Sequence, residues 1–453
     1  MGARLSDSRL YAHLWGTDEM RAVFDEEARL QSWLDILAAL AATQAELGLI
    51  PAASAEAIAA AARVELVDLD LAAEVTRSTS HSTLGLIAAL RRLLPAEAAE
   101  HVYYGATVQD LTDTWTALAM RRVGRVVWRD LGAVEGLLLD LAERHRDTLM
   151  PGRTHGQPGS PISFGLKAAS WADEVRRHRE RLTEGAPRWL AGQLGGGVGT
   201  LAFFGENGLE LRARFCARLG LADPLVPWLT ARDRVAEFGH LLAMVTATLA
   251  RIGTEVYQLQ RPEIGELREP AAAGAVGSIT MPHKRNPEAA EHLGTLARLV
   301  RQQAATLLEG MVGEHERDGR AWKAEWIALP EACLLTGAAL ALARRLLDGL
   351  EVDGERMLAN LGAGGGYAAS EALLAELAPR IGRHRAQSLL QAALRAGQER
   401  GESLEEALRD HVDLGDAGGG PPVAAGAGSA GAIVDAAVRR GRAALAAEPD
   451  PWR

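Results

Sequence analysis

Residues 231–262, ARDRVAEFGHLLAMVTATLARIGTEVYQLQRP, decide the fold class of this chain. Two sets of apolar residues recur there every seven positions, offset by three: Val235, Leu242, Leu249 and Val256, then Phe238, Val245, Ile252 and Leu259. Spacing of this kind over four heptads is typical of an a/d seam. A helix of about 30 residues is about 45 Å long. It therefore needs helical partners of similar length.

The same chain supplies such partners, since residues 111–150, 165–185 and 288–312 also read as long helices. Several long helices in one chain favour a bundle over an isolated two-stranded coiled coil. Shorter helices are predicted over 21–50, 53–63 and 84–93, a short strand or hairpin over 200–208, and a surface loop over 415–432. The predicted fold class is all-α, with a central long-helix bundle.

Composition narrows the class of protein. The 453 residues carry 49 Lys and Arg against 59 Asp and Glu, a net charge of −10, which argues against a nucleic-acid-binding surface. Two cysteines are too few to staple a chain of this length, so a reducing cytoplasm is expected. The N-terminus lacks the apolar core of a signal peptide, and no membrane span is predicted.

Four polar segments interrupt the helical pattern, at 79–85, 103–114, 152–165 and 277–287. Each lies beside a predicted helix start, where free N–H groups and a partial positive charge favour anions. If several such starts converge, they suit a dicarboxylate. Singly, the first three have plain explanations: Asp110 and the residues around it are also ordinary capping chemistry, and a histidine such as His81 is more often structural.

The fourth segment, Gly277–Pro287 (GSITMPHKRNP), does not read as capping. It resembles the signature of the fumarase/aspartase superfamily, roughly G-S-S-x-M-P-x-K-x-N-P, with Ile279 in place of the second serine. The stretches GATVQDLTDT and GRTHGQPGSPISFG resemble two further segments of that family, and the similarity runs from about residue 10 to about residue 400. The motifs M-P-H-K-R-N-P and G-A-T-x-Q-D resemble those of one branch of the family, which contains adenylosuccinate lyase and 3-carboxy-cis,cis-muconate cycloisomerase.

The resemblance implies a three-domain, all-α protein whose central five-helix bundle forms a homotetramer with active sites shared between subunits. The corresponding domains here are residues 1–110, 111–350 and 351–453. It implies an enzyme that removes a proton beside a carboxylate and then expels a group from the neighbouring carbon, through an aci-carboxylate intermediate. No metal or cofactor motif is visible, and none is expected.

Residue roles follow from the same resemblance. Ser278 matches the catalytic base, and Lys284 and Asn286 match the pair that grips the intermediate's carboxylate. His155 matches a general acid or charge-stabilising histidine with Glu291 as its partner, and His81 matches a second histidine beside the leaving group. Substrate-carboxylate binding is expected from Ser80, Thr107, Gln109, Asp110 and Thr154.

The substrate class stays open between relatives. Trp322, Glu325 and Trp326 stand in a W-x-x-E-W-x-x-L-P pattern similar to the cycloisomerase branch, and two indoles with a carboxylate suit a nucleotide phosphate poorly. His81 resembles the lyase side instead. The expected substrate is a small polycarboxylate, a substituted succinate with an amine or nitrite leaving group. The alternatives are lactonisation by a cycloisomerase, an adenylosuccinate lyase, and a non-catalytic structural homologue.

Overall fold

The computed structural model describes residues 4–271, 274, 276–281, 283–411, 426–449 and 451–452. Its secondary structure is almost entirely helical, with two short two-stranded sheets. The α-helices are α1 (Asp18–Phe24), α2 (Glu26–Glu46), α3 (Ala52–Ala61), α4 (Leu69–Thr79), α5 (Leu84–Arg91), α6 (Ala96–Ala99), α7 (Val108–Arg144), α8 (Phe164–Trp189), α9 (Gly208–Arg218), α10 (Asp233–Gln260), α11 (Glu288–Glu309), α12 (Gly319–Asp348), α13 (Gly354–Gly362), α14 (Ser370–Ile381), α15 (Arg383–Arg400), α16 (Leu404–His411) and α17 (Ala430–Ala447). The strands are β1 (Leu149–Thr154), β2 (Gln157–Ser163), β3 (Leu267–Arg268) and β4 (Glu351–Val352).

The all-α prediction is confirmed, and the long helices α7, α8, α10, α11 and α12 form the central bundle. All eight seam residues of α10 are buried, the most exposed being Ile252 at 2%. Burial on this scale removes each aliphatic side chain from water, at about 1.5–3 kcal/mol apiece. The seven-residue pattern therefore reports the buried face correctly.

Local capping explains where the N-terminal helices begin. The predicted helix over 21–50 is divided at Asp25, whose carboxylate accepts the N–H groups of Glu27 and Ala28 at 3.1 and 3.3 Å and so starts α2. The structure confirms the predicted helices near 53–63 and 84–93 as α3 and α5, to within two residues.

Two local predictions need correction. Residues 149–163 close the α7–α8 connection as an antiparallel hairpin, so the helix predicted to reach residue 150 ends at Arg144. Residues 200–208 form no strand: Ala202–Asn207 is a 3-10 helix, because Leu201 and Gly205 take left-handed and non-helical backbone angles that break an extended run. Within this 3-10 helix the side chain of Phe204 is buried.

The C-terminal third has a smaller core of its own, built from α14, α15 and α16 around Leu373, Leu377, Leu390 and Leu408. Helix α17 returns to the bundle and packs against α7 and α8. Of the surface loop predicted over 415–432, residues 415–425 lie outside the described residues, and Ala430 onward is helix. The three-domain division stays a prediction.

Helices α10 and α12 are long and apolar enough to cross a membrane by length and composition alone. Both are mostly buried in the bundle, and the core helices of globular proteins pass the same test.

Candidate active site

The sequence-predicted site residues fall into two groups at opposite ends of the bundle. One end, called the loop end here, holds the end of α10, the start of α11, the hairpin β1–β2 and the segment 269–287. The other, called the His81 end, holds the α4–α5 turn and the starts of α7, α10 and α12. The 28 residues of α10 span about 42 Å. One chain therefore keeps Ser278 and His155 far from His81 and Thr107.

At the loop end, the segment carrying Ser278 folds back on itself. The Asn286 side chain donates to the Gly277 carbonyl at 2.9 Å, and the Met281 N–H donates to Ser278 Oγ at 3.0 Å. A Cβ at Gly277 would lie 2.2 Å from the Lys284 carbonyl oxygen, so only glycine fits this crossing. Ser278 thus receives a backbone donor on its hydroxyl, the type of contact that stabilises an alkoxide.

Among the described residues of this loop, Lys284 is a cation without a carboxylate partner. Its side chain is exposed, and among the described residues no carboxylate pairs with its ammonium group. Arg285, in contrast, lies 4.0 Å from Glu351 and donates to the Glu269 carbonyl at 3.4 Å. The loop accordingly has one anchored cation and one that is available to an anionic ligand.

His155 occupies the tip of the β1–β2 hairpin. His155 and Gly156 both have positive φ, 52° and 75°, which is the two-residue I′ turn that joins Thr154 to Gln157. For a non-glycine residue this conformation costs about 1–2 kcal/mol. The turn projects an exposed imidazole without a side-chain partner among the described residues, which is a poor arrangement for stability and a good one for contact with a ligand.

Two buried glutamates hold these elements in place. Glu266 takes a bidentate pair from Arg153 at 2.6 and 2.9 Å and a hydrogen bond from Asn360 at 2.8 Å, which fixes the hairpin to the end of α10. Glu269 accepts the N–H groups of Ala289 and Ala290 at 3.0 and 2.8 Å, capping α11. Burial raises the pKa of Glu269. Glu291 lies on the first turn of α11, exposed, and does not contact His155 within the chain.

At the His81 end, the α4–α5 turn presents the second histidine. Ser80 ends α4 in a left-handed conformation with φ 55°, and the Thr83 N–H lies 3.4 Å from His81 Nδ1. An amide N–H can only donate, so Nδ1 accepts, and a neutral ring then carries its proton on Nε2. Ser80 and His81 both line a cleft of about 990 Å³.

Of the three residues predicted near the start of α7, Gln109 and Asp110 are buried and Thr107 is half-buried. Asp110 accepts from the backbone N–H groups of Thr107, Gly195 and Gly196 at 2.8–3.0 Å, and burial raises its pKa to about 7. Gln109 is fully buried and donates to the Leu229 carbonyl at 2.8 Å. Neither Gln109 nor Asp110 lines the cleft, whereas Thr112, one turn further along, does.

Sequence reasoning missed most of the cleft. Of the basic side chains and indoles in its walls, only Trp322 and Trp326 belong to a pattern identified in the sequence. The others are the cations Arg29, Arg77, Arg317 and Lys323 and the indoles Trp33 and Trp115. They come from α2, α4, α7 and the 317–326 region, so no local pattern connects them. Among the described residues, no group of three or more His, Cys, Asp and Glu side chains has the geometry of a metal site.

Fold and site together define an all-helical enzyme with a loop-borne serine, lysine and asparagine. A family model described as "Lyase" matches residues 15–301. The chain belongs to this family, and its fold is that of the fumarase/aspartase superfamily.

Known relatives cover nearly the whole chain. The chain is 40% identical to N-acetyl-S-(2-succino)cysteine lyase of Dickeya dadantii over 91% of each chain. It is 42% identical to 3-carboxy-cis,cis-muconate cycloisomerase of Pseudomonas aeruginosa over 87% of this chain and 86% of that one. The 3-carboxy-cis,cis-muconate lactonizing enzyme of Pseudomonas putida superposes with a TM-score of 0.88 at 35% identity, covering 97% of this chain and 100% of that one.

Two further relatives are named for other substrates. Nitrosuccinate lyase of Streptomyces davaonensis is 39% identical, covering 90% of this chain and 88% of its own. Adenylosuccinate lyase of Methanothermobacter thermautotrophicus is 39% identical, covering 89% and 90%.

Proposed function

We propose that the protein catalyses β-elimination from a 2-substituted succinate, giving fumarate and the released substituent. The observation that carries the proposal is the 277–287 loop, which holds a donor-supported hydroxyl on Ser278 next to an unpaired Lys284. The relatives' names support it: N-acetyl-S-(2-succino)cysteine, nitrosuccinate and adenylosuccinate share a succinate that carries a heteroatom at C2. The heteroatom and its substituent differ; the succinate does not.

The reaction needs a base, a charge sink and an acid. Ser278 removes a proton from C3, and the electron pair moves into the adjoining carboxylate to give a dianionic aci-carboxylate. Lys284 and Asn286 bind that carboxylate; loss of one such preorganised donor typically costs about 3 kcal/mol, or 10² to 10³ in rate. The C2–X bond then breaks, and X leaves with its electron pair and a proton from a histidine.

Two histidines, His81 and His155, supply the acid and further charge stabilisation. His81 Nε2 carries the proton nearest to the leaving group, whereas His155 at the hairpin tip stabilises charge on the succinate, with Glu291 as its partner across an interface. Ser80, Thr107 and Thr154 bind carboxylates. We assign Gln109 and Asp110 to the support of this site, because their side chains are consumed by buried backbone contacts.

Such a site requires more than one chain. His81 and Ser278 lie at opposite ends of a bundle whose helix α10 is about 42 Å long, so the two groups can meet only if bundles pack side by side in opposite directions. We therefore propose the shared-site homotetramer implied by the resemblance, in the cytoplasm, independent of metal and cofactor.

A second candidate function is lactonisation. The 42% identity to the Pseudomonas aeruginosa cycloisomerase and the Trp322, Glu325 and Trp326 pattern favour it. There the leaving step runs in reverse: a carboxylate of the substrate adds to the double bond, and the product is a lactone rather than fumarate.

A substrate panel distinguishes these functions. Nitrosuccinate, aspartate, argininosuccinate, adenylosuccinate, N-acetyl-S-(2-succino)cysteine and carboxymuconate are supplied in turn, and fumarate or lactone is measured by chromatography. We expect fumarate from at least one succinate derivative. A lactone from carboxymuconate alone would replace elimination by the cycloisomerase function, and no turnover of any compound would favour a structural homologue.

The base assignment has its own test. Ser278→Ala should abolish turnover and leave the assembly unchanged by light scattering, because within the described part of the chain the Ser278 hydroxyl is hydrogen-bonded to its own loop, at the Met281 N–H. Thr280→Ala, two residues away and exposed, is the matched control and should retain activity. Full activity of Ser278→Ala would refute the assignment.

A further inference from the structure

The cleft beside His81 is larger than succinate requires. Its volume of about 990 Å³ lies at the upper end of the ~300–1,000 Å³ that enclose drug-sized ligands. Helices α2, α4, α7 and α12 all contribute to its walls, so it is a built cavity rather than a gap between loops.

The cleft is a positive region in an acidic chain. Arg29, Arg77, Arg317 and Lys323 line it, and none of the four pairs with a carboxylate among the described residues. Two carboxylates, Glu26 and Asp70, share the walls and are exposed. In a chain of net charge −10, a cavity whose walls carry four cations against two carboxylates has a positive balance and attracts an anion.

Four indoles also line the cleft, together with aliphatic side chains such as Leu30 and Leu69. Trp322 and Trp326 meet edge to face with ring centroids 4.9 Å apart, and the Arg29 guanidinium lies 5.9 Å from the ring centroid of Trp115. Trp322 Nε1 donates to Asp113 at 3.2 Å. Asp113 in turn belongs to a buried ion cluster with Arg232 and Glu325, so Trp322 is anchored to that cluster.

We infer that this cleft binds the leaving group, and that the leaving group is a carboxylate-bearing molecule with an apolar body. The carboxylate pairs with Arg77 and its neighbours, and the body packs on Trp115 and Trp326. This inference rests on the proposed function: the C2–X bond breaks, His81 Nε2 supplies the proton to X, and HX remains in the cleft until release.

Carboxylate fits the site better than phosphate does. Phosphate sites commonly use the free N–H groups of a helix N-terminus. Around this cleft the starts of α2, α4 and α12 already hold the side chains of Asp25, Asp68 and Asp318, whereas α5 begins at Leu84 without a side-chain cap. Guanidinium groups bind carboxylate and phosphate alike through two parallel hydrogen bonds. The two carboxylates in the walls, Glu26 and Asp70, repel a doubly charged phosphate more strongly than a singly charged carboxylate.

The test uses two substrates that differ by one carboxylate, the S-(2-succinyl) thioethers of 4-mercaptobenzoate and of thiophenol. Wild type should prefer the first in kcat/KM by about tenfold or more, the usual effect of a charge-assisted hydrogen bond. Arg77→Gln should reduce that preference to below about twofold. Trp326→Leu should lower kcat/KM for both by a similar factor, since each loses the same ring contact. Arg92→Gln, an exposed arginine outside the cleft, is the matched control.

Binding without turnover separates this inference from the proposed function. Calorimetry measures 4-(methylthio)benzoate and inorganic phosphate against wild type and Arg77→Gln. Tighter binding of the benzoate, weakened by Arg77→Gln, supports the cleft assignment even if no succinate derivative is turned over, in which case only the elimination fails. Turnover of nitrosuccinate with no benzoate binding, equal kcat/KM for the two thioethers, or preferential binding of phosphate overturns the inference and leaves elimination standing.

Discussion

Arg232 is a buried cation that forms ion pairs with two buried carboxylates, Asp113 and Glu325. Replacing it with methionine tests how much these ion pairs stabilise the His81 end. Only 3% of Arg232 is exposed. Its guanidinium donates to Asp113 at 2.8 and 3.0 Å and to Glu325 at 2.8 Å, and it lies 5.0 Å from the ring centroid of Trp228. One cation therefore joins the starts of α7, α10 and α12.

Methionine keeps most of the side-chain volume and removes the charge, so two buried carboxylates then face each other unpaired. Breaking a buried ion pair by removing one partner costs about 3–5 kcal/mol, far more than an exposed pair is worth. Burial already raises the pKa of Glu325 with Arg232 present, and the pKa should rise further without it. A raised folded-state pKa gives stability at low pH that is lost as pH rises through it, so the deficit of Arg232→Met should shrink on acidification.

The assay is urea unfolding of wild type and variant at one fixed protein concentration, at pH 8 and pH 5, because assembly contributes to apparent stability. We expect a loss of about 3–5 kcal/mol at pH 8 and a smaller loss at pH 5. Arg234→Met, which lacks a carboxylate partner in the described chain, should cost under about 1 kcal/mol. The triple change Asp113→Asn, Arg232→Met, Glu325→Gln should recover much of the loss. A deficit below about 1 kcal/mol at pH 8, or one independent of pH, refutes the reasoning.

Three further predictions concern packing and titration. Gly85→Ala should cost about 2 kcal/mol or more, because its Cβ would lie 2.0 Å from the Ala72 carbonyl oxygen, whereas Gly136→Ala meets nothing within 4 Å and should be neutral or stabilising by urea unfolding. Asp110→Asn should cost about 1–3 kcal/mol in the same assay, since one of three buried N–H groups loses its acceptor; an unchanged unfolding midpoint would contradict this. Burial lowers the pKa of His178 to about 4, so stability should fall by up to about 3 kcal/mol between pH 6.5 and pH 4, and His178→Gln should flatten that slope.

The bundle could be predicted from sequence because its signal is repeated. On α10, Val235 and seven further apolar residues form the same pattern in each of four heptads. Burial of that face follows from the hydrophobic effect alone. The loop Gly277–Pro287 could be recognised because it lacks a helical pattern and matches a family signature. Both features are local, and local patterns survive in a single sequence.

Features that depend on contacts between distant segments could not be predicted in this way. Asp113, Arg232 and Glu325 are separated by more than ninety residues at each step, yet they share one buried cluster. The β1–β2 hairpin was missed because His155-Gly156 is an unusual pair for a I′ turn, which asparagine and glycine normally occupy. Gln109 and Asp110 show the limit from the other side: their role in substrate binding stays a prediction, and the sequence did not indicate that both side chains are buried against backbone groups.

The distance between the two ends of the bundle bears on how the relatives differ. Under the proposed function, the chemistry common to them, proton removal and stabilisation of the aci-carboxylate, lies at the loop end with Ser278 and Lys284. Recognition of the departing group lies at the His81 end, on side chains such as Arg77 and Trp326 that make no contact with the loop in the same chain. Substitutions in the cleft can then change the leaving group without disturbing the base or the charge sink. Exchange of cleft residues between relatives should therefore alter substrate preference before it alters the maximal rate on a small substrate such as nitrosuccinate.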